Sequence, residues 1–182
     1  MTGQGATPKI PRLMSASLPE VLDAWRMVAA RRSFEGRLPL ASMGRLKDGL
    51  TDAEGEVGYV LEFDRDALQV PYVELRIDAE LPLECQRGLH RFLHPAKIVQ
   101  RLGLIRDEED EAALPPGYEP LLVPESGELR PAELIEDELI LAVPLVPVDP
   151  QGEPVERDWA PQEDEKAQAS PFAALAALKG KN

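Results

Sequence analysis

The chain has 182 residues and a mass of 20.0 kDa, which leaves room for one core and a tail but not for two independent cores. Hydrophobic residues at 43% can fill that core, whereas 29% charged residues, 18 prolines and 5% aromatics place part of the chain outside it. With 20 Lys and Arg against 33 Asp and Glu, the net charge of −13 repels nucleic acid and anionic membrane, so any RNA contact requires a local basic patch.

The first predicted element is a helix. Ser17-Leu-Pro-Glu20 has the pattern of a capping box with Pro19 in the first turn, and Val21, Leu22, Trp25 and Val28 follow as one apolar stripe. Arg26, Ala30 and Arg31 fall off that stripe, and the segment ends near Ser33. Beyond Gly36 the period changes to two: Val57, Tyr59, Leu61 and Phe63 alternate with polar or small neighbours, as do Val73, Leu75, Ile77, Ala79, Leu81 and Leu83. Both runs predict half-buried strands.

Arg91 to Arg106 is less regular but predicts a third strand, paired antiparallel with the second through an open bend at Gln86-Arg-Gly-Leu-His90. After Leu114-Pro-Pro-Gly117 comes an extended piece, Tyr118 to Val123. A second helix runs from Pro131 to Leu141, with Leu134, Ile135, Glu138 and Leu141 on one face and Pro144 and Pro147 as stops. The predicted fold is therefore α+β, a mainly antiparallel sheet with two packed helices, over residues 1–148. An acidic Pro-rich linker is expected at 149–170 and a short amphipathic helix at 171–182, where Phe172, Leu175 and Leu178 follow i, i+3, i+6 spacing. That last turn suits docking on the core or on a partner equally.

Charge is regional. Residues 1–50 carry eight Lys and Arg against Glu20, Asp23, Glu35 and Asp48, whereas Asp107 to Glu165 holds about 19 acidic residues against Arg130 and Arg157. Arg26, Arg31, Arg32 and Arg37 near the first helix, and Arg87, Arg91, Lys97 and Arg101 in or beside the hairpin, are the candidate RNA-binding residues, provided the two groups adjoin. The alternative is a solvated surface balancing its own acidic half. Few aromatics accompany these cations, so contact with phosphate rather than base stacking is expected.

Other motifs carry less chemistry. Glu133 and Asp137, one turn apart, have the spacing for Mg²⁺, but no His or Lys lies nearby in sequence as acid or base, and carboxylates on the polar side of a helix need no such role. Cys85 alone excludes an internal disulfide and suits a reducing cytosol. His90 and His94 share one face of a strand without making a metal site. No apolar run suggests a signal segment or membrane span, so a soluble cytoplasmic protein with no membrane or DNA partner is expected.

Four separated blocks, Leu83-Glu-Cys-Gln-Arg87, Leu114-Pro-Pro-Gly-Tyr-Glu-Pro120, Glu136-Asp-Glu-Leu-Ile-Leu-Ala-Val-Pro-Leu-Val-Pro147 and Pro171-Phe-Ala-Ala-Leu-Ala-Ala-Leu-Lys179, together resemble the YceD family, the large ribosomal RNA subunit accumulation proteins. Arg31-Arg-Ser-Phe-Glu-Gly36 resembles the family's N-terminal region. The resemblance implies a non-catalytic factor, without cofactor, in 23S ribosomal RNA maturation or accumulation. Its expected partner is precursor 23S ribosomal RNA, the assembling large subunit, or a basic ribosomal protein or RNA-processing enzyme met by the acidic region. It also implies a structural or partner-binding role for Glu136, Asp137 and Glu138, whereas Phe172, Leu175 and Leu178 are candidate partner-binding residues by their spacing. Many members carry Cys-x-x-Cys at the bend with later His or Cys, a zinc pattern; here Gly88 follows Cys85 and Val148-Asp-Pro-Gln-Gly152 holds no ligand of that kind, so no metal is expected.

Overall fold

The computed structural model describes residues 14–15 and 18–152; the expected terminal helix with Phe172, Leu175 and Leu178, and all of the linker beyond residue 152, lie outside them. In chain order the elements are β1 (Met14–Ser15), β2 (Leu22–Asp23), α1 (Ala24–Ala29), β3 (Ser33–Pro39), β4 (Glu56–Arg65), β5 (Pro71–Glu84), β6 (Arg91–Ile105), β7 (Glu119–Leu122), β8 (Glu128–Leu129) and α2 (Pro131–Ala142). Short 3-10 turns stand at Leu40–Ser42, Leu46–Gly49 and Glu108–Ala113. The main sheet has the order β1-β3-β4-β5-β6-β7, and β2 and β8 form a separate antiparallel pair. From β3 to β6 the sheet is an antiparallel meander, while β1 and β7 lie parallel to their neighbours.

The alternation in sequence decides which face is inside. Val57, Tyr59, Leu61 and Phe63 on β4 and Val73, Leu75, Ile77, Ala79, Leu81 and Leu83 on β5 are all buried, and cross-strand pairs such as Leu61 with Leu75 and Phe63 with Val73 put them on one face. Ala24 and Val28 of α1 and Leu134, Ile135 and Leu139 of α2 join the same core. Full burial of side chains of this size stabilises by about 1.5–3 kcal/mol each. The mainly antiparallel α+β architecture with two packed helices follows from this pattern.

Three details differ from the sequence expectation. The first helix begins at Ala24, not within Ser17–Glu20, because Leu22 and Asp23 pair with Leu129 and Glu128 and the Asp23 carboxylate caps the helix by accepting the Arg26 N–H at 3.0 Å. It is correspondingly short, and Val21 is exposed instead of part of the apolar stripe. The segment after it is a strand, β3, whose inward positions are Phe34, Gly36 and Leu38. Gly36 hides the period: its missing side chain leaves the space that the Tyr59 ring occupies, and a Cβ there would stand 2.7 Å from Tyr59 Oη. On α2 the buried face is Leu134, Ile135, Glu136 and Leu139, and Leu141 is exposed, so the expected face through Glu138 and Leu141 is displaced.

The predicted hairpin is present as β5 and β6, with Cys85 N–H donating to His90 O at 2.9 Å across the bend. The Leu114-Pro-Pro-Gly-Tyr block acquires a structural explanation at the other end of β6. Leu114 lies over Gly103, where a Cβ would sit 2.6 Å from Leu114 Cδ2, and the Tyr118 hydroxyl donates to Asp66 Oδ2 at 3.0 Å. β7 is thus held against the β4–β5 turn as well as against β6.

Candidate functional site

Strand alternation that buries one face of the sheet must expose the other, and register arranges its residues in rows. One row is Arg37, Gly58, Asp78 and Lys97; its neighbours are Glu35, Val60, Arg76 and Val99 on one side and Pro39, Glu56, Glu80 and Pro95 on the other. Gly58 leaves the first row low, and an open groove of about 810 Å³ crosses it between Arg37 and Lys97.

Four of the candidate RNA-binding residues meet on this outer face, and each meets a carboxylate there. Arg37 lies 3.4 Å from Glu56, Lys97 3.6 Å from Asp78, and Arg91 donates to Asp52 at 2.5 Å. Arg101 reaches Glu74 at 3.2 Å through Nε and again through its terminal nitrogen, and Glu74 also holds Arg76. The Arg101 hydrogen bond draws the Glu74 carboxyl below its usual range, against the opposing effect of burial. The Arg101 guanidinium also covers the rings of Tyr72 and Tyr118, 4.7 and 5.6 Å from their centroids.

The remaining cations are elsewhere. Arg26 is on α1, which packs on the inner face, so of the first basic group only Arg37 joins the hairpin cations on the outer face. Arg31, held in the left-handed region at φ 49°, turns the chain into β3 and lies 3.3 Å from Asp64; Arg32 follows at the same junction, and its carbonyl accepts the Phe63 N–H. Arg87 is in the hairpin bend and donates to the Asp149 carbonyl at 3.4 Å.

Glu136 is 7% exposed and is used within the protein. One oxygen accepts the backbone N–H groups of Arg45 at 2.7 Å and Leu46 at 3.0 Å, and the other accepts the Arg45 side chain at 3.1 and 3.2 Å. Burial pushes this carboxyl up, but the Leu46 and Arg45 donors outweigh it and hold it below the usual range. Asp137 adds a 2.6 Å contact to the same arginine. A pair with Mg²⁺ spacing is therefore one residue bound to Arg45 and one, Glu133, whose carbonyl also accepts from Arg45. Glu138 is half-buried, and burial, reinforced by Glu119 and Asp137, raises its pKa.

Arg45 and Asp149 escaped the sequence reading, since their partners are distant in sequence and Asp149 stands in an apparent linker. At the hairpin bend the Cys85 Sγ accepts the N–H groups of Gly88 and Asp149, each at 3.4 Å, and His90 Nε2 lies 2.9 Å from Asp149 Oδ2. The Asp149 N–H draws the thiol pKa down against burial, and the Asp149 carboxylate raises that of His90. One thiol and one imidazole, both already engaged, do not make the donor set of a tetrahedral zinc site. Among the described residues no group of three or more His, Cys, Asp and Glu is placed to hold a metal ion, and no helix is long and apolar enough to cross a membrane.

The fold and site define a small α+β protein whose distinctive surface is an exposed, charge-paired sheet face crossed by a shallow groove. The chain belongs to the YceD family: the family model described as "Large ribosomal RNA subunit accumulation protein YceD" matches residues 73–179. It is 26% identical over 175 residues to the large ribosomal RNA subunit accumulation protein YceD of Haemophilus influenzae, covering 93% of this chain and 100% of that protein. No solved structure matches it.

Proposed function

We propose that this protein acts without catalysis, in the cytoplasm, in the accumulation of 23S ribosomal RNA and the assembly of the large subunit, by binding a basic protein of that assembly. The candidate partners are basic ribosomal proteins and RNA-processing enzymes. The role comes from the family and from the relative's name; the mode of action rests on one observation. The outer-face cations are each engaged by a carboxylate, whereas Glu108, Glu109, Asp110 and Glu111 form an exposed acidic turn after β6. A basic partner gains from that turn and from the net charge of −13, while RNA must displace carboxylates to reach the arginines.

Direct RNA contact is the second reading, favoured by the looseness of two pairs: Arg37 and Lys97 have side chains 75% exposed and partners beyond 3.3 Å. Titration of purified protein against precursor 23S RNA fragments, unrelated RNA and a panel of purified basic large-subunit proteins, across a salt series, separates the two. The first reading expects saturable, salt-sensitive binding to a basic protein, lost when residues 108–111 are replaced by Gln and Asn. Preference for precursor RNA that disappears when Arg31, Arg32, Arg91 and Arg101 become Glu overturns it in favour of the second.

A further inference from the structure

β6 is the longest strand, yet β7 covers only Leu102 to Ile105 of its far side. From Arg91 to Arg101 no described strand lies beyond it. The direction of its backbone groups follows from two bonds. His90 O, an even position, accepts from Cys85 toward β5, and Ile105 O, an odd one, accepts from Val123 toward β7. Odd residues of β6 therefore present their main-chain groups to the open edge. Pro95 is odd, so its missing N–H costs the β5 ladder nothing. The edge offers the N–H groups of Leu93, Lys97, Val99 and Arg101 with the intervening carbonyls.

The side chains beside this edge are also incompletely covered. On the outer face Leu93 and Val99 are 45% and 70% exposed and flank the exposed Lys97; on the inner face Ile98 is only partly buried. Alternating donors and acceptors along an extended backbone are matched by another extended polypeptide, not by a nucleic-acid strand. Charge narrows the occupant further. A second copy of this strand would bring Arg91, Lys97 and Arg101 against the same cations in the other chain, whereas β5, on the inner side of β6, opposes Lys97 and Arg101 with Asp78 and Glu74.

We propose that the Leu93–Arg101 edge of β6 receives an extended segment of a partner protein as an added strand, with apolar side chains beside Leu93 and Val99 and a carboxylate beside Lys97. This inference does not depend on the basic-partner reading, since the occupant of the edge differs from that partner in charge.

The probe is the peptide acetyl-Val-Thr-Asp-Thr-Thr-Thr-Val-amide, added to the full chain while amide exchange is followed by NMR. In the free protein the amides of Phe92, Ala96 and Ile98 are expected to exchange slowly and those of Leu93, Lys97, Val99 and Arg101 fast. Peptide should protect the second set saturably below about 1 mM. The same peptide N-methylated on the groups that would face β6 should bind at least about tenfold more weakly, and replacing its Asp by Lys should also weaken it. The proposal is overturned by odd-residue amides already protected in the free protein, by protection that grows with protein concentration alone, by equal binding of the methylated peptide, or by absence of binding. Protection of the same amides by RNA but not by peptide also overturns it.

Discussion

Two carboxylates, Glu136 and Asp149, do the same job for two parts of the chain and with different permanence. Each accepts donors from a distant stretch of chain: Glu136 ties α2 to the turn at Arg45 and Leu46, and Asp149 ties the segment after α2 to the hairpin bend at His90. Glu136 is buried and faces an arginine, whose charge does not vary over any ordinary pH; Asp149 is less deeply buried and faces a histidine. The first contact is built to persist and the second to respond to its surroundings. Chemistry of the donor and depth of the acceptor, not the carboxylate itself, make the difference.

Glu136→Ala should have the largest effect. It strands two backbone N–H groups and leaves the Arg45 guanidinium to Asp137 and the Glu133 carbonyl, and a loss of about 3 kcal/mol is expected in urea unfolding, with partial recovery in Glu136→Gln. A loss under about 1 kcal/mol would remove the distinction drawn between the two carboxylates. Tyr118→Phe is a smaller test at the third anchoring point, where Asp66 keeps its bonds from Leu68 and Val70; about 1 kcal/mol should be lost with the hydroxyl.

The pH dependence separates the two contacts more sharply. His90 has its pKa raised by Asp149, so its contribution is complete below the ordinary histidine value of about 6.5 and fades as pH rises through the elevated folded value. Asp149 is lowered by His90, so its share is present above the ordinary aspartate value and fades as pH falls through the depressed one. NMR titration of the His90 ring should show a midpoint above the ordinary histidine value that falls in Asp149→Asn; an unchanged midpoint would dissolve the pair. Glu136 should show loss only on the acid side, as pH falls through its depressed value. The smallest expected effect is that of Lys97→Gln on stability, within about 0.5 kcal/mol by thermal unfolding, since an exposed pair 3.6 Å apart contributes little.

The hairpin was legible because Val73 to Leu83 alternate without interruption and Gly88 marks the bend. β3 was not, since a glycine at an inward position looks like a break until the ring of Tyr59 is seen to fill its place. The helix start failed for a local reason: Ser17 and Pro19 match a capping pattern, but pairing of Leu22 and Asp23 with β8 overrides it. The cations of the candidate site were visible as residues, and their engagement was not. Lys97 and Asp78, or Arg101 and Glu74, are partners only once the β5–β6 register is set, and Arg45 finds Glu136 across 91 positions.

That separation has a consequence for the order in which the chain is made. The meander from β3 to β6 pairs strands that are consecutive in the chain and can assemble as soon as residue 105 has left the ribosome. Until Pro131 to Ala142 follows, however, the amides of residues 45 and 46 have no carboxylate to meet and Leu46 has no helix above it. Synthesis of the last third of the molecule is what closes the first.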